Sequence, residues 1–111
     1  MLEGLWSVEF ETATGYVGSG VVVFETRKVF GGSDNYYYLG NYNAARDGKI
    51  TIETEIIHYS GDKTSPFGNL DRYHAIWEGY LSGETSIFKG HLQHDPLVQV
   101  NIRLIKRAEL P

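Results

Sequence analysis

The feature that most constrains this chain is a hydrophobic period of two. Trp6, Val8 and Phe10 alternate with Ser7, Glu9 and Glu11. Ile50, Ile52, Thr54 and Ile56 alternate with Thr51, Glu53, Glu55 and Ile57, and Val98, Val100, Ile102 and Leu104 with Gln99, Asn101, Arg103 and Ile105. Successive side chains of a strand point to opposite faces, so each run makes a strand with one dry and one wet face. No window carries a sustained helical stripe at i, i+3, i+4 and i+7. Little helix is expected.

Turn signals divide the runs. Ala13-Thr14-Gly15 follows the first. Glu25-Thr26-Arg27-Lys28 separates two apolar segments, and Gly31 to Asn35 precedes a tyrosine run. Arg46-Asp47-Gly48-Lys49 is a hairpin signal, because Asp-Gly tolerates the positive φ of two-residue turns. Ser82-Gly83 and His94-Asp95-Pro96 act similarly. The longest break runs from Ser60 to Asp71 and contains Gly61, Pro66, Gly68 and Asn69. Proline cannot serve a central ladder and disfavours helix at Ser65, so this segment reads as a loop. Eight strands result, near 3–12, 17–25, 28–32, 36–43, 49–59, 73–82, 85–93 and 97–106. Sequential strands with short turns and one wet face predict an antiparallel meander. Closing it removes the aggregation-prone edges. The expected fold is one domain over 1–111, a small all-β, eight-stranded up-and-down barrel of calycin or lipocalin type. A two-sheet β-sandwich is the alternative.

Composition supports closure. There are 13 glycines in 111 residues, nearly twice the usual share of about 7%. Gly4, Gly18, Gly20, Gly31, Gly40, Gly79 and Gly90 fall inside predicted strands. Glycine weakens a strand, and tight bends, bulges or close strand approach supply a reason for it. The chain also holds 8 Tyr, 5 Phe and 2 Trp, enough apolar surface to exclude disorder. Trp6, Val8, Phe10, Ile52, Ile56, His58, Trp77, Phe88, Val100 and Ile102 have the inward parity. They would line or fill the interior. Each fully buried large side chain contributes about 1.5–3 kcal/mol.

Function classes narrow by exclusion. With 10 Lys plus Arg against 14 Asp plus Glu, the net charge is −4, which disfavours direct nucleic-acid binding. There is no cysteine, so disulfides, thiolate metal sites and cysteine nucleophiles are excluded. The N-terminus lacks a signal-peptide pattern, and the longest apolar run, Val21 to Phe24, is far too short for a membrane helix. A soluble cytoplasmic protein is expected. His91 and His94 are three apart and face opposite ways in a strand. His74 and Glu78 share an outer face, as do the pairs Glu9/Glu11 and Glu53/Glu55, and outward carboxylates read as solvated. No phosphate loop or nucleophile elbow occurs. A non-enzymatic chain without cofactor or metal is expected. Tyr36, Tyr37, Tyr38 and Phe67 are candidates for an interface, since tyrosine combines apolar area with a polar tip. Phe67 would sit at a loop tip or fold over the barrel mouth as a plug.

The segments Gly18-Ser-Gly-Val-Val-Val-Phe24, Val29-Phe-Gly-Gly-Ser-Asp34 and Tyr36-Tyr-Tyr-Leu-Gly-Asn-Tyr42 resemble the GrlR family, negative regulators of type III secretion. Gly4 to Val8, Ile56 to Gly61 and Ile87 to Gly90 resemble the same family. The resemblance implies a calycin-like barrel, a homodimer, a hydrophobic cavity and no DNA-binding element. It implies regulation by sequestering a helix-turn-helix activator, a role associated in the best-known members with an acidic Glu-Asp-Glu-Asp run. This chain departs there: Asp34, Asp47, Asp62 and Asp71 stand alone. The expected function is a regulatory binding protein that acts on a transcriptional regulator. The alternative is a carrier or sensor of a small hydrophobic, lipid-like ligand. Outward Leu5, Ile57, Ile76 and Ile105 are the apolar positions a dimer would cover.

Overall fold

A computed structural model describes residues 2–13, 15–63, 65, 67 and 70–111, with the backbone alone at Tyr16 and Val17. The turn signals Thr14, Pro66, Gly68 and Asn69 lie outside the described residues. The alternating runs form β1 (Gly4–Thr12), β2 (Gly15–Glu25), β3 (Lys28–Gly32), β4 (Tyr36–Ala44), β5 (Ile50–His58), β6 (Arg72–Gly79), β7 (Thr85–Leu92) and β8 (Asp95–Ala108). Each strand pairs antiparallel with the next, and β1 also pairs with β8, which closes the barrel. The predicted eight-stranded up-and-down barrel is the fold, and the sandwich alternative is not. Among the described residues no helix is long and apolar enough to cross a membrane.

Two hairpins differ in detail from expectation. Asp47-Gly48 does not form a two-residue turn. Gly48 N–H donates to Ala45 O at 3.0 Å and Ala45 N–H to Lys49 O at 2.8 Å. Only Gly48 has positive φ, at 93°. This is a longer turn with glycine in the bulge position. The tight two-residue connection instead joins β2 to β3. There Thr26 and Arg27 adopt φ of 50° and 67°, although neither is a residue that favours this region. The Glu3 carboxylate accepts the Thr26 N–H at 2.8 Å. β8 also begins earlier than predicted, at Asp95. Its register with β7 jumps from His91↔Gln99 to Leu92↔Asp95. Pro96, Leu97 and Val98 therefore bulge out of the ladder, where a missing N–H is tolerated.

The inward side chains build one core from all eight strands. Trp6, Phe24, Phe88, Leu104 and Val100 are among its most completely buried members. Two of the large rings each face one register position without a side chain. Gly90 is the register partner of Trp77, and Gly79 that of Phe88. A Cβ at residue 90 would fall inside the Trp77 ring, and one at residue 79 would lie 2.8 Å from Phe88 Cγ. The two strand-interior glycines thus hold the space that two aromatic rings occupy. Among the described residues, only Leu2 and Phe67 join the buried core from outside the strands. Leu2 is tied in at the end of the barrel that holds the β2–β3 turn, where its carbonyl accepts the Trp6 indole N–H at 2.7 Å. Phe67 enters from the opposite end.

Two stability measurements follow from this geometry. Replacing Thr26→Asn together with Arg27→Gly supplies residues suited to positive φ and should raise stability by about 1–2 kcal/mol, read as a higher urea midpoint. Gly90→Ala should lower stability by about 3 kcal/mol through overpacking against Trp77. A changed tryptophan emission in the native state should accompany that loss.

Candidate functional site

Of the residues expected to face the interior, Trp6, Val8, Phe10, Ile52, Ile56, Trp77, Phe88, Val100 and Ile102 are all buried inside the barrel. Val8, Phe10, Ile52, Ile56, Trp77 and Ile102 surround the space they leave unfilled, together with Tyr38, Thr54 and others. That space is about 30 Å³, room for little more than one or two waters. The lining is mostly apolar, with polar side-chain atoms only on Thr54, Tyr38 and Trp77. The Thr54 hydroxyl accepts the Trp77 indole N–H at 3.0 Å and donates to Ala75 O at 3.3 Å, so its one proton is already engaged. A lipid-like molecule needs a pocket of roughly 300 Å³ or more, well above the 30 Å³ that the described residues leave in the interior.

His58 departs from its expected place. It has the inward parity but is the last residue of β5, and it is only half buried. Its ring turns toward the barrel rim, where Nε2 meets Gly61 O at 2.7 Å and the ring packs edge-on against Tyr36 at 5.3 Å. Three of the four interface candidates also need correction. Tyr36, Tyr38 and Phe67 are buried in the core, because β4 turns its even-numbered tyrosines inward and the loop folds Phe67 over the mouth. Of the two readings of Phe67, plug and exposed tip, the geometry matches the plug. Only Tyr37 faces outward, with its ring 6.0 Å from that of Tyr59.

The outer wall is where apolar surface collects. Leu5, Val23, Phe30 and Leu39 are register partners across β1 to β4, forming one unbroken row. Val21, Gly32, Tyr37 and Ile57 form the adjacent row across β2 to β5. Val21, Phe30, Tyr37 and Leu39 are exposed, with Val21 at 51% and Leu39 at 48%. Neighbouring strands lie about 4.8 Å apart, so the first row spans roughly 14 Å. Gly32 leaves a shallow gap between Val21 and Tyr37. Two of the outward residues expected at a dimer contact, Leu5 and Ile57, belong to this face. Ile76 and Ile105 do not: they are half buried elsewhere, between Glu53 and His91 and between Ser7 and Thr85 respectively. The row itself escaped sequence reading. Parity marks Phe30 and Leu39 as outward, but only register shows that they touch.

Other parts of the wall are charged and internally paired. Arg103 meets Glu9 and Glu11 at 3.6 and 3.1 Å, Arg72 meets Glu55 at 3.2 Å, and Lys49 meets Glu78 at 3.1 Å. The outward placement expected for Glu9/Glu11, Glu53/Glu55 and His74/Glu78 is the one observed. His91 Nδ1 lies 2.8 Å from the carbonyl of Leu92, and His94 is exposed in the β7–β8 turn. Among the described residues no group of three or more His, Cys, Asp or Glu side chains is placed to hold a metal ion. In comparisons with known proteins, no family model and no curated protein matches this chain.

The buried tyrosines give the interior a pH signature. Burial pushes the Tyr38 phenol up to about 12 and also raises that of Tyr73. The fold therefore favours the neutral phenol over the unfolded chain, where the value is 10.0. That stability is complete below pH 10 and is lost as the pH climbs toward 12. The urea midpoint should stay level up to about pH 10 and fall above it, while phenolate absorbance of these two rings appears only on unfolding. Tyr38→Phe should flatten part of the decline.

Proposed function

We propose that this protein is a non-enzymatic regulatory binding protein that acts by protein–protein contact through the outer face of β1 to β4. The observation that carries the reading is the continuous apolar row Leu5, Val23, Phe30 and Leu39, flanked by exposed Val21 and Tyr37. Closure gives every strand a neighbour on both sides, so no strand offers a partner a complete free edge to extend. The interior is nearly full, so recognition falls to outward side chains. A contiguous apolar patch of this kind marks an interaction site on a soluble domain, and aromatic residues with few charges at its centre fit the composition of interface cores.

The sequence resemblance to GrlR-type negative regulators supports the same class of activity. It makes a transcriptional regulator the partner and adds a homodimer. Neither requires direct contact with nucleic acid, which agrees with a net charge of −4. The absent acidic run means that recognition here rests on apolar side chains rather than on a charged loop.

Phe30→Asp and Leu39→Lys test the reading. Each adds a charge to an exposed position and should leave circular dichroism and melting temperature within error of the parent. Each should weaken binding to the captured regulator by about 30-fold or more, the loss expected at the centre of an interface. Light scattering should show the same variants shifting from dimer to monomer if self-association uses this face. Unchanged regulator affinity in both variants overturns the assignment of the face.

A further inference from the structure

Asp47-Gly48 has the sequence of a two-residue turn and sits instead in a longer one, where both residues are tied down. The Asp47 carboxylate carries a donor on each oxygen. Oδ1 accepts the Lys49 N–H at 3.0 Å, and Oδ2 accepts the Tyr80 hydroxyl at 3.0 Å. The Gly48 N–H is engaged as well, by Ala45 O at 3.0 Å. Tyr80 follows the end of β6 and belongs to a different connection. Its ring flanks the glycine: a Cβ at residue 48 would lie 3.9 Å from Tyr80 Cδ2. Both Asp47 and Tyr80 are exposed, and a contact in such a place adds little stability. What it restrains is a reactive pair.

An Asp-Gly peptide is labile because glycine has no side chain to shield its amide nitrogen. That nitrogen attacks the aspartate Cγ. A C–N bond forms, the carboxyl C–OH bond breaks, and the hydroxyl leaves with the amide proton as water. The product is a five-membered succinimide. A solvent water then adds to one of its two carbonyls. Opening at Cγ restores aspartate. Opening at the main-chain carbonyl leaves the glycine joined through the former side chain, an isoaspartyl link with one more carbon in the backbone path and no change of mass. Ring closure needs a protonated carboxyl, a nitrogen able to lose its proton and a side chain free to swing onto it. The folded turn opposes all three. The Lys49 N–H and the Tyr80 hydroxyl hold the Asp47 carboxyl below the usual carboxylate range. Ala45 O keeps the Gly48 proton in a hydrogen bond. Contacts on both oxygens fix the carboxylate in place.

We propose that Asp47-Gly48 is a latent self-modification site, which converts to isoaspartate when the turn opens, and that Tyr80 is the residue that restrains it in the folded barrel. The inserted carbon falls between Ala45 and Lys49, whose N–H···O bond at 2.8 Å closes the hairpin, one residue before buried Ile50. Conversion therefore loosens the start of β5. The inference uses none of the residues of the proposed contact face and stands whether or not that face binds a partner.

The test follows isoaspartate at residue 47 in the full chain by peptide mapping, with methyl transfer by an L-isoaspartyl methyltransferase as a second readout. Folded Tyr80→Phe, held below its melting transition, should accumulate isoaspartate about threefold faster than folded wild type, the scale of one exposed charged contact. Unfolded in guanidinium chloride, the two chains should react at one common rate, about tenfold or more above that of folded wild type, because all three restraints are gone. Glu78→Gln breaks the Lys49–Glu78 pair without touching either contact to Asp47 and should react at the wild-type rate. On acidification, the folded wild-type rate should begin to rise at a lower pH than that of Tyr80→Phe, since the variant's carboxyl takes up its proton sooner. Equal folded rates in wild type and Tyr80→Phe overturn the role given to Tyr80. A folded wild type that reacts as fast as the unfolded chain overturns the proposal outright. So does an acceleration in Glu78→Gln as large as that in Tyr80→Phe, because general loosening of the turn would then suffice.

Discussion

The ladder between β1 and β8 is the constraint on which the rest depends. Because β1 is bonded on both sides, the sheet has no beginning and no end. Eight strands enclose an interior just wide enough for side chains. A chain this rich in aromatic residues cannot place rings on every inward position of so narrow a tube. Glycine resolves the conflict at Gly79 and Gly90, where the partner rings of Phe88 and Trp77 take the room that a side chain would need. The strand glycines that weaken local β-structure are what allow the global closure.

Closure also decides where recognition can happen. A filled, closed barrel offers neither a complete strand edge nor a large cavity, so recognition falls mainly to surface side chains. The surface divides accordingly. Cross-strand ion pairs around Arg103, Arg72 and Lys49 cover part of the wall, and such exposed pairs add little stability. The two register rows from Leu5 to Leu39 and from Val21 to Tyr37 are apolar instead, and charged pairing there would serve solubility better than leaving Phe30 and Leu39 in water. Their exposure in one row with Leu5 and Val23, unlike that of the scattered Ile87 and Leu97, forms a continuous apolar surface.

At the two ends the chain closes itself off by different means. Leu2 is tied to the start of β1 through a hydrogen bond to the indole of Trp6. Phe67 is held through hydroxyl contacts between its loop and two tyrosines.

The amino-acid sequence by itself determined the strands, their order and the parity of nearly every side chain. Alternation is a local property, and Trp6 to Phe10 or Ile50 to Ile56 display it without help from distant residues. It also separated Tyr37 from Tyr36 and Tyr38, though not which of the two sets faces inward, since tyrosine suits either face. Only the tertiary structure decided that question, and with it the loss of Tyr36, Tyr38 and Phe67 as surface residues. His58 shows the same limit: inward parity at a strand's last residue places a side chain at a rim, not in a core. The row Leu5, Val23, Phe30 and Leu39 was invisible for a further reason. Its members are far apart in sequence, and register between strands is set by turn lengths, bulges and closure rather than by any one strand's pattern. Parity is written within a strand, whereas adjacency exists only once the strands have been laid side by side.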